Sequence, residues 1–348
     1  FYRMTEPGIS EQRNKEKAEL QEKSAKSKKS FIKIVAAILC IVLGCGGIGY
    51  YYATKDQTKE AIKTAVQSTD TSEDVQLSIK SPVIEEASSM EGGQKVTWDC
   101  LWFGSYPQKE ITEDDGTIYI DLKNTEDWDQ KNDVTLDGIK YHKRNGSYFQ
   151  YKPIKWRVLK KQEGEVFLMA DTVLTKKPYN EKRKSVTWEK STLRSFMNGK
   201  FLDCAFTTEE ENAIKKSDVK NNNNLYTNTE GGNDTQDKIF LLSESEIHTD
   251  AAKNYGFASG RKIKDNAKRS KSSTYAKAEG IYTDTDKDLV GNCSWWLRSP
   301  GGDRNIAARI FYDGNANWSA YVDTITGGGV RPALKLDISS DNLWSHAG

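Results

Sequence analysis

Histidine occurs only three times in the 348 residues, as His142, His248 and His346. None sits in an HExxH, CxxC or similar metal-ligand spacing. There is no GxSxG elbow, no P-loop and no GxGxxG turn, so the chemistry that travels with those motifs is excluded. The acidic runs Glu113-Asp114-Asp115 and Glu209-Glu210-Glu211 read as solvated loop and first-turn charge, because adjacent like charges repel and stay wet. Asp284–Asp288 opens like a calcium loop but lacks the Gly and the later bidentate Glu of an EF-hand. No cofactor is implied beyond a loop-stabilising Ca²⁺ there. Of the five cysteines, Cys40 and Cys45 lie in an apolar run. Cys100, Cys204 and Cys293 are too few and too odd in number for a disulfide framework, and read as buried thiols.

The C-terminal third offers recognition chemistry instead. Asp303, Arg304, Asn305, Tyr312, Asn315, Asn317, Trp318 and Tyr321 combine flat rings with adaptable hydrogen-bonding groups, a mixture suited to a glycan or a protein surface. Each also has a structural reading: Asn315 and Asn317 can build a turn, and Trp318 can cap the core. A catalytic alternative would draw on Asp171, on Glu246, or on Cys293 with His248 as a distant base. A third reading is a purely structural subunit whose tryptophans are all core. Arg298 and Arg331 are expected to tie loops through carbonyls or carboxylates rather than to bind ligand.

These residues need strands and tight turns to position them. Candidate strands are Val96–Phe103, Ile154–Leu159, Glu165–Ala170, Lys238–Leu242, Ser294–Ser299, Ala307–Tyr312, Ala320–Ile325 and Val330–Leu336, all short and rich in β-branched or aromatic residues. Turns are expected at Ser299–Gly302, Asp313-Gly314 and Gly327–Gly329. Trp295 and Trp296 point to opposite faces, one toward the core and one partly outward. Pro332 fits an edge or a bulge. Thr187 is read as the cap of a helix that Asn198-Gly199 stops, and Thr207 with Glu210, and Ser243 with Glu246, form capping boxes. The fold class expected is α+β: short antiparallel strands, peripheral helices and long loops.

The chain carries 51 Lys plus Arg against 50 Asp plus Glu, a net charge of +1, which argues against a nucleic-acid partner. Ile34–Ala53 is 20 residues without a charge, long enough to span a bilayer as a helix. Nine Lys/Arg and five Asp/Glu precede it, which places the N-terminus in the cytoplasm and the rest outside, in a single-pass protein of the cell membrane. Val42-Leu43-Gly44-Cys45 leaves a lipoprotein anchored at Cys45 as the alternative. The organisation expected is a basic arm (1–33), a transmembrane helix (34–53), a stalk (54–94), a domain (95–338) and a tail (339–348).

The pattern Trp295-Trp296-Leu297-Arg298-Ser299-Pro300-Gly301, then Ala307–Ile310, then Gly328–Leu334 resembles an uncharacterised domain family of bacterial surface proteins. Phe103–Gln108, Ile154–Leu159, Val186–Asn198 and Lys238–Ser243 extend the resemblance over nearly all of 96–338. The closing strands are also similar to the C-type lectin-like fold shared by formylglycine-generating enzymes and the variable proteins of diversity-generating retroelements. The calcium-lectin Glu-Pro-Asn and Gln-Pro-Asp triplets, the C-terminal Cys pair of the first group and the His set of the related iron enzymes are not found here. The resemblance therefore implies a lectin-like frame with a binding face on its last strands, and neither catalysis nor calcium. The function expected is a membrane-anchored, extracellular recognition domain with a glycan or protein ligand, the alternatives being an envelope enzyme or a structural envelope subunit.

Overall fold

The computed structural model describes residues 78–260, 263–324 and 328–347. They fall in one compact unit, Leu77–Gly348. Two antiparallel-dominated sheets carry it, and the chain is mostly β. This corrects the expected α+β, C-type lectin-like description. The longest helix described, Thr117–Asn124, has eight residues, and the other helical segments are short connectors between strands.

The larger sheet follows the spatial order Ile239–Phe240, Ala333–Asp337, Glu165–Ala170, Ser147–Gln162, Cys100–Ile111, Ser345–His346. Its spine is the 16-residue strand Ser147–Gln162. There Ile154, Trp156 and Val158 are fully buried, and Pro153, Lys155 and Arg157 alternate on the other face, the period of a strand with one face on the core. A hairpin, Asp133–Leu136 with Ile139–Arg144, pairs onto the first part of this strand. Its turn residues Asp137 and Gly138 both have positive φ, 50° and 76°, as a two-residue hairpin turn requires.

The smaller sheet runs Ala316–Tyr321, Ile306–Ile310, Trp295–Pro300, Gly329–Val330, Thr175–Lys176. Trp295 and Trp296 do face opposite ways, but both are 0% exposed, because packed chain covers both faces. Their indole N–H groups donate to the carbonyls of Lys268 and Lys177. Pro332 splits the expected strand Val330–Leu336: Gly329–Val330 belongs to one sheet and Ala333–Asp337 to the other. Arg331 marks the crossing. It is fully buried and donates to the carbonyls of Ala170 (2.8 Å) and Asp171 (3.1 Å).

Both ends of the described chain fold with the domain. Val83–Glu86 pairs with Gln94–Thr97, and Ser345–His346 adds a strand beside Leu101 and Trp102. The compact unit is thus wider than the 95–338 read from sequence. The expected span Ile34–Ala53, its basic arm, Cys45 and the stalk as far as residue 77 lie outside the described residues. Among the described residues no helix is long and apolar enough to cross a membrane. The single-pass anchor, and the cell-membrane address built on it, are withdrawn.

Candidate functional site

The smaller sheet ends on the edge strand Ala316–Tyr321, and the hairpin that brings it there shapes an open groove of about 810 Å³. Phe311 donates its N–H to the carbonyl of Asn315, and Gly314 donates to that of Phe311. Gly314 has φ +87°, and an added Cβ would stand 2.5 Å from the carbonyl oxygen of Asp265. Both the handedness of the turn and its seat on residue 265 therefore require glycine. The Asp313 carboxylate accepts from the Asn315 backbone (3.0 Å) and side chain (2.8 Å), which fixes the loop from within.

Tyr312, Asn315, Asn317 and Trp318 all line the groove, joined by Thr227, Phe311, Asp313 and Ser319. Trp318 packs partly against the core, donates its indole N–H to Glu244 and meets Tyr226 at 5.3 Å between ring centroids. At the other end Tyr312 meets Phe311 at 6.2 Å and the exposed Tyr282 at 5.9 Å. Burial first, then the nearby Asp284 carboxylate, raises the Tyr312 pKa above its ordinary value, so the phenol stays a neutral donor. Between the rings, Asn317 accepts from Arg309 Nε (3.1 Å) and donates to Ser319 Oγ (2.9 Å). The arrangement is two aromatic ends with amides, a carboxylate and hydroxyls between them.

The other four residues singled out from sequence are not in this lining. Asp303 and Arg304 form the turn before Ile306: Asp303 accepts from the Arg304 N–H, and Arg304 pairs with Glu230 at 3.2 Å. The Asn305 carbonyl accepts from Val322. Tyr321 carries the Arg183 guanidinium over its ring, 4.0 Å from the centroid. Sequence reading missed Phe311, Asp313 and Ser319, which flank residues it did select, and Thr227, which arrives from a distant loop.

The residues of the catalytic alternative are engaged elsewhere. Asp171 pairs with Arg157 at 2.6 Å. Glu246 closes its capping box on Ser243 and pairs with Arg298, which also donates to the carbonyls of Leu241 and Lys220. Cys293 is fully buried against the Ser270 carbonyl, and burial pushes its thiol up to about 12. His248 lies against Lys268 Nζ at 3.4 Å. Asp284, at the head of the calcium-like run, is buried and accepts from the Asp286 N–H as a turn residue. Among the described residues no group of three His, Cys, Asp or Glu is placed to hold a metal ion.

Residues 163–338 match the profile of a domain of unknown function, DUF6273. The chain belongs to this family. The DUF6273 segment holds the whole groove, both buried tryptophans of the smaller sheet and Arg331. No curated protein and no solved structure matches the chain. The C-type lectin-like description, already replaced by the two-sheet architecture, is not carried further.

Proposed function

We propose that the DUF6273 domain is a recognition module that binds a glycan in the groove beside the edge strand Ala316–Tyr321. One observation supports this above the others. The rings of Phe311, Tyr312 and Trp318 and the polar groups of Asp313, Asn315, Asn317 and Ser319 line a single open groove of about 810 Å³. A sugar ring has an apolar C–H face and a hydroxyl edge. Aromatic walls match the first and cost little entropy when they are already packed; amides and carboxylates match the second.

The test is a glycan array probed with the full chain, followed by titration calorimetry on whatever oligosaccharide binds. Tyr312→Ala and Asn317→Ala are each expected to weaken binding about tenfold, near 1.4 kcal/mol. Neither side chain belongs to the buried core, so folding is retained. Unchanged affinity in both variants, or no sugar bound at millimolar concentration, would end the proposal.

A further inference from the structure

Buried carboxylates elsewhere in this domain have their partners within the fold. In a cavity of about 400 Å³ on the larger sheet, Asp133 is 4% exposed. Its carboxylate accepts from His142 Nδ1 (2.8 Å), from Tyr151 OH (2.9 and 3.0 Å) and from Lys140 Nζ (2.8 Å). Asp237 accepts from Arg194 Nε (2.7 Å), the Trp188 indole (3.0 Å) and Thr235 Oγ1 (2.8 Å). Asp265 accepts two backbone N–H groups, from Ala258 (2.8 Å) and Ala267 (2.9 Å). These charges are answered from inside, so none of the three clusters asks for a ligand.

Asp284 differs. It is 5% exposed. Its Oδ1 accepts the Asp286 N–H at 2.8 Å. Among the described residues its other oxygen takes no hydrogen bond, and no Lys, Arg or His pairs with it. A carboxylate withdrawn from water on those terms keeps an uncompensated charge. It stands beside the aromatic end of the groove. There the rings of Tyr282 and Tyr312 meet at 5.9 Å between centroids, with their planes at 60°. After burial, the influences that raise the Tyr312 pKa are Asp284, Tyr282, Asp313 and Asp286, in that order. The potential at this phenol is therefore negative. The nearby cations are engaged: Lys264 Nζ lies 3.9 Å from the Asp313 carboxylate, and the Arg309 guanidinium lies 4.9 Å from the Phe311 centroid. Neither Tyr282 nor Tyr312 carries a cation over its ring among the described residues.

We infer, resting on the glycan reading of the groove, that the Tyr282–Tyr312 corner receives a protonated amino group, and that the glycan suited to this site carries free amino sugars rather than N-acetylated or acidic ones. An ammonium set against these two rings meets their electron-rich faces. It also gives Asp284 the counter-charge that the fold does not supply, while Asp286 and Asp313 add to the attraction. An N-acetyl group is neutral and gains neither contribution. A sugar carboxylate is repelled by the same three aspartates.

The test is titration calorimetry on the full chain with two probes of equal length, the glucosamine hexamer and the N-acetylglucosamine hexamer, at a pH where the amines are protonated. The glucosamine hexamer is expected to bind about tenfold more tightly. That advantage should fall below about threefold in Tyr282→Ala and in Asp284→Asn, and should survive in Tyr282→Phe, which keeps the ring. Tyr282 is exposed, so its variants keep the fold and the test stands even where Asp284→Asn unfolds. Raised salt should reduce the advantage in the wild type and leave the N-acetylated probe unchanged. Equal or tighter binding of the N-acetylated hexamer, or an advantage that survives both Tyr282→Ala and salt, would overturn the inference and leave the groove as a glycan site. A glycan array on which only neutral or acidic sugars bind would do the same. An array that binds no sugar would end both readings.

Discussion

Asp133→Asn tests the polar cluster where its energetics are most concentrated. Three donors converge on one buried carboxylate. The Lys140 contribution is small, because that side chain is 42% exposed and such pairs are worth about 0–1 kcal/mol. The bonds from His142 and Tyr151 lie inside, where a hydrogen bond to a charged group contributes about 1.5–3 kcal/mol. Asparagine keeps one acceptor oxygen, so one of these bonds survives as a neutral and weaker bond and the other is lost. The expected loss at pH 7 is about 2–4 kcal/mol. By urea unfolding followed through tryptophan fluorescence, that shifts the midpoint by roughly 1 M. The loss is also pH-dependent. Burial pushes the Asp133 pKa up, but the hydrogen bonds from His142, Lys140 and Tyr151 outweigh it and hold the carboxyl below its ordinary 3.8. A depressed folded pKa gives stability that is fully present above the unfolded value and is lost as pH falls below it toward the folded one. The gap between wild type and variant should therefore hold from pH 7 down to the ordinary carboxyl value of 3.8 and shrink progressively below it. A gap under 0.5 kcal/mol at pH 7, or one that does not shrink in acid, would refute the reasoning.

Two more outcomes follow from the crossing and the hairpin. Arg331→Met keeps the volume but strands the carbonyls of Ala170 and Asp171; relief of the buried charge offsets part of this, leaving a loss of about 2 kcal/mol by urea unfolding. Gly314→Ala combines a left-handed turn with a contact to the Asp265 backbone, at a cost of about 2–4 kcal/mol, and should lower the melting temperature and weaken any ligand of the groove together.

What the sequence disclosed was local. The Thr207–Glu210 and Ser243–Glu246 capping boxes formed as read, because each closes within four residues. Glu165–Ala170 is a strand with the bounds expected. Thr187 precedes only a short 3₁₀ turn; the helix that follows is Thr192–Phe196, capped by Ser191, and helical geometry resumes beyond Gly199. The strand expected at Ala320–Ile325 lies earlier, at Ala316–Tyr321, since Asn and Ser make a weak strand signal that pairing with Ile306–Ile310 overrides. The hairpin of residues 133–144 was overlooked, although Asp137-Gly138 and Asn145-Gly146 are the strongest short-range turn signals in that stretch. Arg298 and Arg331 tie carbonyls as expected. The Asp133 cluster could not be read at all. Its members lie on the overlooked hairpin and on the strand that hairpin pairs with, so the missed turn hid them together.

The family boundary at residue 163 cuts through the larger sheet. Glu165–Ala170 is an interior strand there, with Ala333–Asp337 on one side and Ser147–Gln162 on the other. Only the first neighbour lies inside the matched segment. Without the second, one edge of Glu165–Ala170 would lose its backbone partners, and Ile154, Trp156 and Val158 would leave the core. The Trp156 indole, moreover, donates to the Phe103 carbonyl at 2.8 Å, so the support reaches one strand further back. Residues 100–162 are therefore part of the frame that holds the DUF6273 segment, and not a separate module in front of it. The groove sits at the opposite extreme. Its strand is an edge with a single ladder partner, tied to the core chiefly through Trp318 and Ala320. Side chains along such an edge can change without disturbing the interior ladders. That places the groove proposed for recognition where substitution is cheapest, and the buried tryptophans and arginines where it is most costly.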